Sequence, residues 1–363
     1  MNIFVFGSSV TSSYWNGAAT YYRGIYRQLA ALGHHITFAE PDIYGRQQHR
    51  DTGDFSYVHE IVYREASDIP ALIAQAKRAD VVIKHSGVGA NDTELEAAVL
   101  DCQRTGATVL FWDVDAPATL ARVAADPSDA FRALIPQYDF ILTYGGGNPI
   151  VARYKSFGAK ECRPIYNALD PETHFPVPPD SRFQCDLAFV GNRLPDRERR
   201  VEQFFLRAAE LAPEMTFVLG GEGWSDKAIP DNIRPIGHVA TGEHNAVNCS
   251  ARMVLNINRD SMADVGFSPP TRVFEAAGAG ACLITDHWPG VDHFFRIGQE
   301  ILVANSAEDI VCYLRGTGAE EAEAIGHAML ERALSDHTYS LRAQEADAIF
   351  RNARSSLEAV GTR

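Results

Sequence analysis

The sequence has 363 residues, of which 46% are apolar and 22% are charged, and its formal net charge is −14. This composition excludes a fibrous or disordered chain, and the acidic excess argues against general binding to nucleic acid or to an anionic membrane. No apolar run reaches the roughly 20 residues that span a bilayer, no basic leader precedes the first apolar segment, and the six cysteines form no C-x-x-C pair. We therefore expect a cytoplasmic protein of about two domains without a structural zinc or disulfide.

The first half of the chain alternates short apolar segments with amphipathic ones. The apolar segments predict strands at 2–7, 35–40, 80–84, 107–112 and 138–143. Helices are predicted at 18–32, where Gly33 ends the helix, and at 91–104, where Asn91 is the expected N-cap. Apolar strands without alternation, joined by helices, indicate a parallel sheet that is covered on both faces.

The second half repeats this pattern after a proline-rich segment. Residues 169–182 predict a stiff linker that follows a first domain at 1–168. A second domain at 183–335 follows, with strands predicted at 186–191, 215–220, 253–258 and 281–285, and helices at 196–211 and 268–278. The tail is predicted to be helical, and 336–363 form the last segment. The predicted fold is α/β, with two doubly wound Rossmann-like lobes facing one cleft, where ligands bind at the carboxyl ends of strands.

A helix start in the second domain is the best candidate for a ligand site. Ser268 is a suitable N-cap and Pro269 suits the first helical position, so backbone amides near Thr271 are expected to favour a phosphate. Glu275 follows in an apolar run and needs a partner. Two vicinal hydroxyls of a ribose would serve, and an internal salt bridge to Arg272 is the alternative.

A glycine and a cluster of arginines follow the first strand of the second domain. The residues are Gly191, Asn192, Arg193, Arg197, Arg199 and Arg200. A glycine at a strand end lets the backbone approach a ligand, and the arginine fork suits phosphate oxygens. Arg193 is nearest to the strand and is the first candidate. The alternative is a solvated basic helix face, which we expect for at least two of the four arginines.

Polar residues also follow the strands of the first domain, although no G-x-G-x-x-G fingerprint of a dinucleotide site is present. Asn16 and Gly17 open the helix after the first strand. His85 ends another strand, where it is either a polar catalytic group or a structural histidine. These residues are candidates for the side of the cleft opposite the phosphate site.

Two further strand ends of the first domain contribute candidates. Asp113 and Asp115 form an Asp-x-Asp, and we expect one of the two to line the cleft and no metal site. Tyr144 precedes three glycines, and it either stacks on a sugar or acceptor or belongs to a plain turn.

Four segments together resemble the retaining glycosyltransferases of the GT-B architecture. Residues 16–37 are similar to that family's glycine loop, helix and "GHxVT" strand, and residues 167–176 to its interlobe "NGVDxxxFxP". Residues 189–194 are similar to its "VGRL" strand end, and residues 272–286 to its "EAMAxGxPVI" donor motif. The form R-x-F-E-A-x-x-x-G followed by L-I-T-D, with Phe294-Phe295 and 300–302 after it, most closely resembles the CgeB-like branch, named for a spore maturation protein.

The resemblance implies roles for the matching residues. Glu275 would hold the ribose of a nucleotide-sugar donor, Arg193 its diphosphate, and Arg199 would replace the family's lysine. His85 would lie near the transferred sugar, and His85 and Asp115 are the two catalytic candidates. Donor contacts are also expected from Ser268, Thr271, Arg272, Gly191 and Asn192, and acceptor or sugar contacts from Asn16, Gly17, Asp113 and Tyr144. A terminal helix from about Tyr339 would return to the first lobe.

The implied reaction transfers a sugar from a nucleoside diphosphate, with UDP as the family's frequent carrier, to a small-molecule, glycan or macromolecular acceptor. It would need no metal or cofactor and would retain the anomeric configuration. The sequence departs from the family at Phe267, where a second glutamate is usual, and at Asn192, an insertion in "VGRL". The alternatives are a sugar-nucleotide epimerase, a non-catalytic two-lobed binding protein and an NAD-dependent oxidoreductase, the last weakened by the missing fingerprint.

Overall fold

The computed structural model describes the backbone of residues 1–361 and the side chains of residues 1–240 and 242–354. The chain divides into two compact units. Unit 1 combines Met1–Asn167 with the segment from Tyr339 onward, and unit 2 is Ala168–Thr338. Each unit is built around one parallel sheet.

Unit 1 has a seven-stranded parallel sheet in the order β3-β2-β1-β4-β5-β6-β7. Its strands are β1 Asn2–Phe6, β2 His35–Pro41, β3 His59–Tyr63, β4 Val81–His85, β5 Thr108–Asp113, β6 Phe140–Thr143 and β7 Cys162–Pro164. Its first helices are α1 Ala19–Ala31, α2 Ile69–Ala76, α3 Asp92–Ala98, α4 Ala116–Ala125, α5 Ala130–Leu134 and α6 Gly147–Ser156. The strands that pair on both sides are buried along almost their whole length, as apolar runs without alternation predict.

Unit 2 has a six-stranded parallel sheet in the order β10-β9-β8-β11-β12-β13. The strands are β8 Cys185–Val190, β9 Phe217–Gly220, β10 Ile233–Gly237, β11 Ala251–Asn256, β12 Leu283–Asp286 and β13 Leu302–Ala304. The helices are α7 Pro195–Val201, α8 Arg207–Leu211, α9 His244–Ser250, α10 Asp260–Val265, α11 Thr271–Gly278, α12 Val291–Phe294, α13 Ala307–Gly316 and α14 Ala319–Asp336. A π-helical turn, Glu202–Leu206, joins α7 to α8. The predicted class, α/β with two doubly wound sheets, is confirmed.

The last helix, α15 Tyr339–Gly361, belongs to unit 1 and packs against α1. A Cβ added to Gly24 of α1 would lie only 2.3 Å from the ring of Tyr339. The Tyr339 hydroxyl also donates a hydrogen bond of 2.5 Å to Asn167 Oδ1. The chain therefore leaves unit 1 after Asn167, completes unit 2, and returns to fill the first core.

Two predicted helix starts differ from the structure. Helix α11 begins at Thr271, with Pro270 rather than Ser268 at the N-cap, because a residue followed by proline is excluded from the helical region and Pro269 precedes Pro270. Asn91 does occupy the N-cap of α3, but its backbone is left-handed and its side chain makes no capping bond. The carboxylate of Asp92 instead accepts hydrogen bonds from the amides of Val88 and Gly89.

No helix in the described part of the chain is both long enough and apolar enough to cross a membrane. The helices are instead amphipathic, with one side buried against a sheet or another helix and the other side more exposed. In α11, for example, Val273, Phe274 and Ala277 are buried while Thr271 and Arg272 are only partly covered.

Candidate functional site

In unit 2 the strand order reverses between β8 and β11, and ligands of such sheets bind at the carboxyl ends of the strands beside the reversal. Gly191 follows β8 at this point. A Cβ at Gly191 would lie 3.0 Å from Nη2 of Arg197, so the missing side chain lets Arg197 lie across the turn. Arg197 Nη2 donates a hydrogen bond to the carbonyl of Asn192, and the Arg197 Nε is buried without a partner.

Arg197 lies close to a second guanidinium, that of Arg272 in the first turn of α11. Burial and, to a smaller extent, the positive charge of Arg272 lower the pKa of Arg197 to about 10. Burial also lowers the pKa of Arg272, against the opposing effect of the Glu275 carboxylate. Within the described residues neither arginine has an ion-pair partner. Two half-buried like charges are unfavourable without an anion between them, so this arrangement favours a phosphate or diphosphate.

Glu275 lies one helical turn after Arg272, with its side chain 13% exposed. Its Oε2 lies 3.5 Å from Nδ1 of His244, the first residue of α9. Burial alone would raise the pKa of Glu275, but the hydrogen bond and charge of His244, followed by the charges of His174 and Arg272, lower it to about 2. The ionisable side chain that approaches it within 4 Å is therefore His244, not Arg272. Glu275 is an ionised acceptor beside a cationic pair.

Two asparagines complete the carboxyl end of β11. Asn256 is the last residue of the strand and Asn258 follows two residues later, and both are buried. The Asn258 side chain has no hydrogen-bond partner at either Oδ1 or Nδ2, and Asn256 lacks one at Oδ1. Buried amide groups without partners are costly, and hydroxyls of a ligand would satisfy them. The sequence pattern predicts both asparagines as residues of a strand at 253–258 and carries no sign of a binding role.

The two arginines that the sequence singles out first are directed elsewhere. Arg193 lies between two carboxylates, 2.7 Å from Glu198 and 2.8 Å from Asp226. Arg199 is 71% exposed and approaches Asp260 only to 4.0 Å. The structure thus brings Gly191, Asn192, Thr271, Arg272 and Glu275 together with Arg197, and it places Ser268 in a buried position just before α11.

In unit 1, His85 is enclosed in the core. Its Nε2 lies 2.5 Å from the hydroxyl of Tyr26, and its Nδ1 lies 3.2 Å from the carbonyl oxygen of Trp112. Burial lowers its pKa to about 3, and the charge of Lys84 contributes in the same direction. The ring is therefore neutral and both nitrogens are occupied, which places His85 as a structural residue in this conformation.

The other candidates in unit 1 are placed as follows. Asn16 is buried and braces its own loop by donating hydrogen bonds to the carbonyls of Ser9 and Ser12, while Gly17 is exposed. The ring of Tyr144 is half-buried, and its hydroxyl accepts a hydrogen bond from Asn167.

Asp113 and Asp115 differ in exposure. Asp113 is fully buried and accepts hydrogen bonds from the hydroxyls of Thr119 and Tyr154. Asp115 is half-buried at the N-cap of α4, so it is the more accessible of the pair. Over the described part of the chain, no three His, Cys, Asp or Glu side chains are grouped as a metal ion requires.

Comparisons with known proteins agree with this architecture. Residues 197–348 match the family model described as "Glycosyl transferase-like". Among curated proteins, no sequence matches significantly.

Solved structures similar to the whole chain include a sucrose-phosphate synthase from Thermosynechococcus elongatus, 13% identical, with a TM-score of 0.68 over 98% of this chain and 100% of that one. Anabaena HepE, solved in complex with UDP-glucose, is 10% identical, with a TM-score of 0.66 over 97% and 100%. An α-glucosyltransferase in complex with UDP-glucose and DNA containing an abasic site is 12% identical, with a TM-score of 0.70 over 97% and 99%. The chain therefore has the GT-B fold, and its residues 197–348 are similar to the glycosyl transferase-like family.

Proposed function

We propose that the protein transfers a glycosyl group from a nucleoside-diphosphate sugar, which binds at the carboxyl edge of the unit 2 sheet. The observation that carries the proposal is the grouping of an ionised acceptor, Glu275, with two cations that lack carboxylate partners, Arg197 and Arg272. A nucleoside diphosphate offers the matching groups, two ribose hydroxyls next to a dianionic diphosphate.

The proposed roles follow from the charges. When the sugar leaves, negative charge develops on the diphosphate, and Arg197, Arg272 and the free amides at the start of α11 stabilise it. Glu275 accepts hydrogen bonds from the ribose. The Oδ1 of Asn256 and the side-chain amide of Asn258, which lack partners, bind hydroxyls of the sugar or ribose. They take the place of the family's usual glutamate, where this chain has Phe267.

Three finer features belong to the same proposal. UDP is the proposed carrier, supported by the UDP-glucose complexes of HepE and of the α-glucosyltransferase. The reaction is proposed to be metal-independent, since the two arginines supply the positive charge that a metal would otherwise bring. Retention of configuration and kinship with the CgeB-like branch rest on the sequence motifs. Unchanged transfer in EDTA tests metal independence, and an NMR assignment of the product anomer tests retention of configuration.

The deciding experiment is calorimetric titration of UDP into the full chain. We expect Glu275→Gln and Arg272→Ala each to weaken UDP binding by about tenfold or more. Glu331→Gln, an exposed carboxylate on α14, is the matched control and should bind as the wild type does. Wild-type affinity in both site variants would remove the assignment. Assays with a panel of UDP-sugars then separate transfer, which needs an acceptor, from epimerisation, which isomerises the donor alone.

A further inference from the structure

Three exposed aromatic side chains lie together in unit 1, in the loops that follow β1 and β2. Trp15 is 78% exposed, Tyr44 is 61% exposed and Tyr14 is 41% exposed. The rings of Tyr14 and Trp15 meet edge to face, with centroids 6.3 Å apart. We name these three residues the aromatic platform. The roles assigned above to residues of unit 1 use none of them.

The platform is held in place by a buried arginine. Arg46 donates hydrogen bonds of 3.0 Å to the carbonyls of Ser8 and Trp15. The same guanidinium lies over the ring of Tyr44, with its Cζ 5.2 Å from the ring centroid. One buried cation therefore fixes the backbone under one ring and supports the face of another.

The backbone of the platform is itself unusual. Trp15 and Tyr44 have φ values of 48° and 56°, in the left-handed region that costs a bulky residue about 1–2 kcal/mol. A Cβ at Gly89, in the loop after β4, would lie 3.1 Å from Tyr44 Cε2. The loops after β1, β2 and β4 therefore converge where the strand order of the first sheet reverses, the position at which such sheets bind ligands.

Two of the cations near the platform pair with carboxylates, and a third, Arg46, is buried beneath it. Arg23 pairs with Asp51 at 2.6 Å, and Arg50 pairs with Glu60 at 2.7 Å. With a net charge of −14 on the chain, this surface does not offer the positive groove that nucleic acids or anionic lipids require. The Tyr14 ring stacks on His49, with centroids 4.0 Å apart, and Arg46 lies over the Tyr44 ring. The exposed rings of Trp15 and Tyr44 suit the C–H faces of uncharged sugar rings.

We propose that the aromatic platform binds the sugar rings of a neutral glycan, which is the acceptor of the transfer. This inference rests on the proposed function, because it assigns the acceptor class to the reaction that unit 2 begins. Trp15 and Tyr44 stack on the rings of the glycan, and Arg46 acts as a positioning residue that keeps both aromatic rings at the surface.

Tryptophan fluorescence gives a direct test. The chain has four tryptophans, and Trp112, Trp224 and Trp288 are buried, so quenching by acrylamide reports Trp15. The probes are maltohexaose, cellohexaose, chitohexaose and mannohexaose, each added to the full chain with saturating UDP. We expect at least one to protect Trp15 from quenching and to shift its emission to the blue.

Variants identify the contact. Tyr44→Asn removes the ring while asparagine tolerates the left-handed backbone, and we expect it to weaken glycan binding by about tenfold or more. Trp15→Phe keeps a ring and should retain binding in calorimetry. Phe175→Asn, an exposed ring in unit 2, is the matched control and should change nothing.

Two results would overturn the inference: protection by none of the four glycans, or protection by a single-stranded oligonucleotide or by phosphatidylglycerol vesicles in their place. UDP affinity is measured in parallel for every variant and should not change. If wild-type protein fails to bind UDP while a glycan protects Trp15, the proposed donor site fails and the platform stands, which separates the two proposals.

Discussion

Arg197 and Arg272 hold two positive charges side by side in a partly buried site, and this has opposite consequences for stability and for binding. We expect Arg197→Met, which keeps the packing over Phe189 and removes the charge, to raise the melting temperature of the free protein. The same variant should weaken UDP binding by about 10- to 100-fold, or about 1.4–2.8 kcal/mol.

Calorimetry and thermal unfolding of one sample measure both effects. Arg199→Met is the matched control, because Arg199 is exposed on the same helix and should change UDP affinity by less than about twofold. A larger loss in Arg199→Met than in Arg197→Met would favour the role that the sequence motif assigns to Arg199.

The depressed pKa of Glu275 predicts a pH dependence with a definite sign. Its folded pKa of about 2 lies below the ordinary value of 4.5, so the carboxylate stabilises the fold above pH 4.5. That contribution, at most about 3 kcal/mol, is lost as the pH falls from 4.5 towards 2. Unfolding free energies measured against pH should therefore fall more steeply in the wild type than in Glu275→Gln over this window. Parallel curves would contradict the shifted pKa.

Residue chemistry in the sequence predicts part of this site. A carboxylate in an apolar run requires a partner, which singles out Glu275, and a glycine at a strand end marks the turn beneath Arg197. Spacing alone does not tell which of four arginines crosses that turn. It also does not show that His85, at the end of its strand, is enclosed by Tyr26 and Trp112, because enclosure depends on residues distant in the chain.

At the scale of elements, the central strands of both sheets are predicted to within about two residues because their long apolar runs are buried on both faces. The four strands that the sequence reading missed are β3, β7, β10 and β13, which are the edges of the two sheets. Strands β7 and β13 have three residues each, and β3 and β10 carry exposed polar residues. Edge strands need less apolar surface, so their signal is weak.

Helix packing in unit 2 predicts that alanine substitution has opposite effects on stability at two glycines. In α14, a Cβ on Gly326 would lie 2.1 Å from the carbonyl oxygen of Gly280, a backbone atom that cannot easily move. We expect Gly326→Ala to destabilise the protein by about 2–3 kcal/mol through overpacking. Gly316, at the end of α13, has open space around it, and Gly316→Ala should stabilise by up to about 1 kcal/mol.

Urea unfolding followed by circular dichroism measures both changes. Equal effects at the two positions would show that α14 does not approach the Gly280 backbone closely. The sequence does not predict these opposite effects, since they depend on which atoms pack against each glycine.

At the scale of the whole molecule, stability of unit 1 depends on a helix that the chain supplies last. Tyr339 is buried at the start of α15, against Gly24 and Tyr21. We expect Tyr339→Ala to cost about 3–5 kcal/mol, as other large-to-small aromatic substitutions do. Ser340→Ala, one residue later and exposed, should cost less than about 0.5 kcal/mol.

Hydrogen exchange resolved by segment checks where the loss falls. Increased exchange in Tyr339→Ala should concentrate in α1, α15 and the strands of unit 1, and the strands β8–β12 should keep their protection. Uniform loss across both units would show that they unfold together rather than as the two bodies that their contacts define.

In the sequence, unit 2 interrupts unit 1, and this sets the order in which the two units are completed during synthesis. A ribosome that has made residues 1–167 holds a seven-stranded sheet with the groove along α1 uncovered, and it must produce 171 further residues before Tyr339 arrives. Unit 2, which is continuous, has all its strands available before then. Unit 2 can therefore fold first, although it comes later in the sequence. Until α15 is made, unit 1 exposes apolar surface to chaperones.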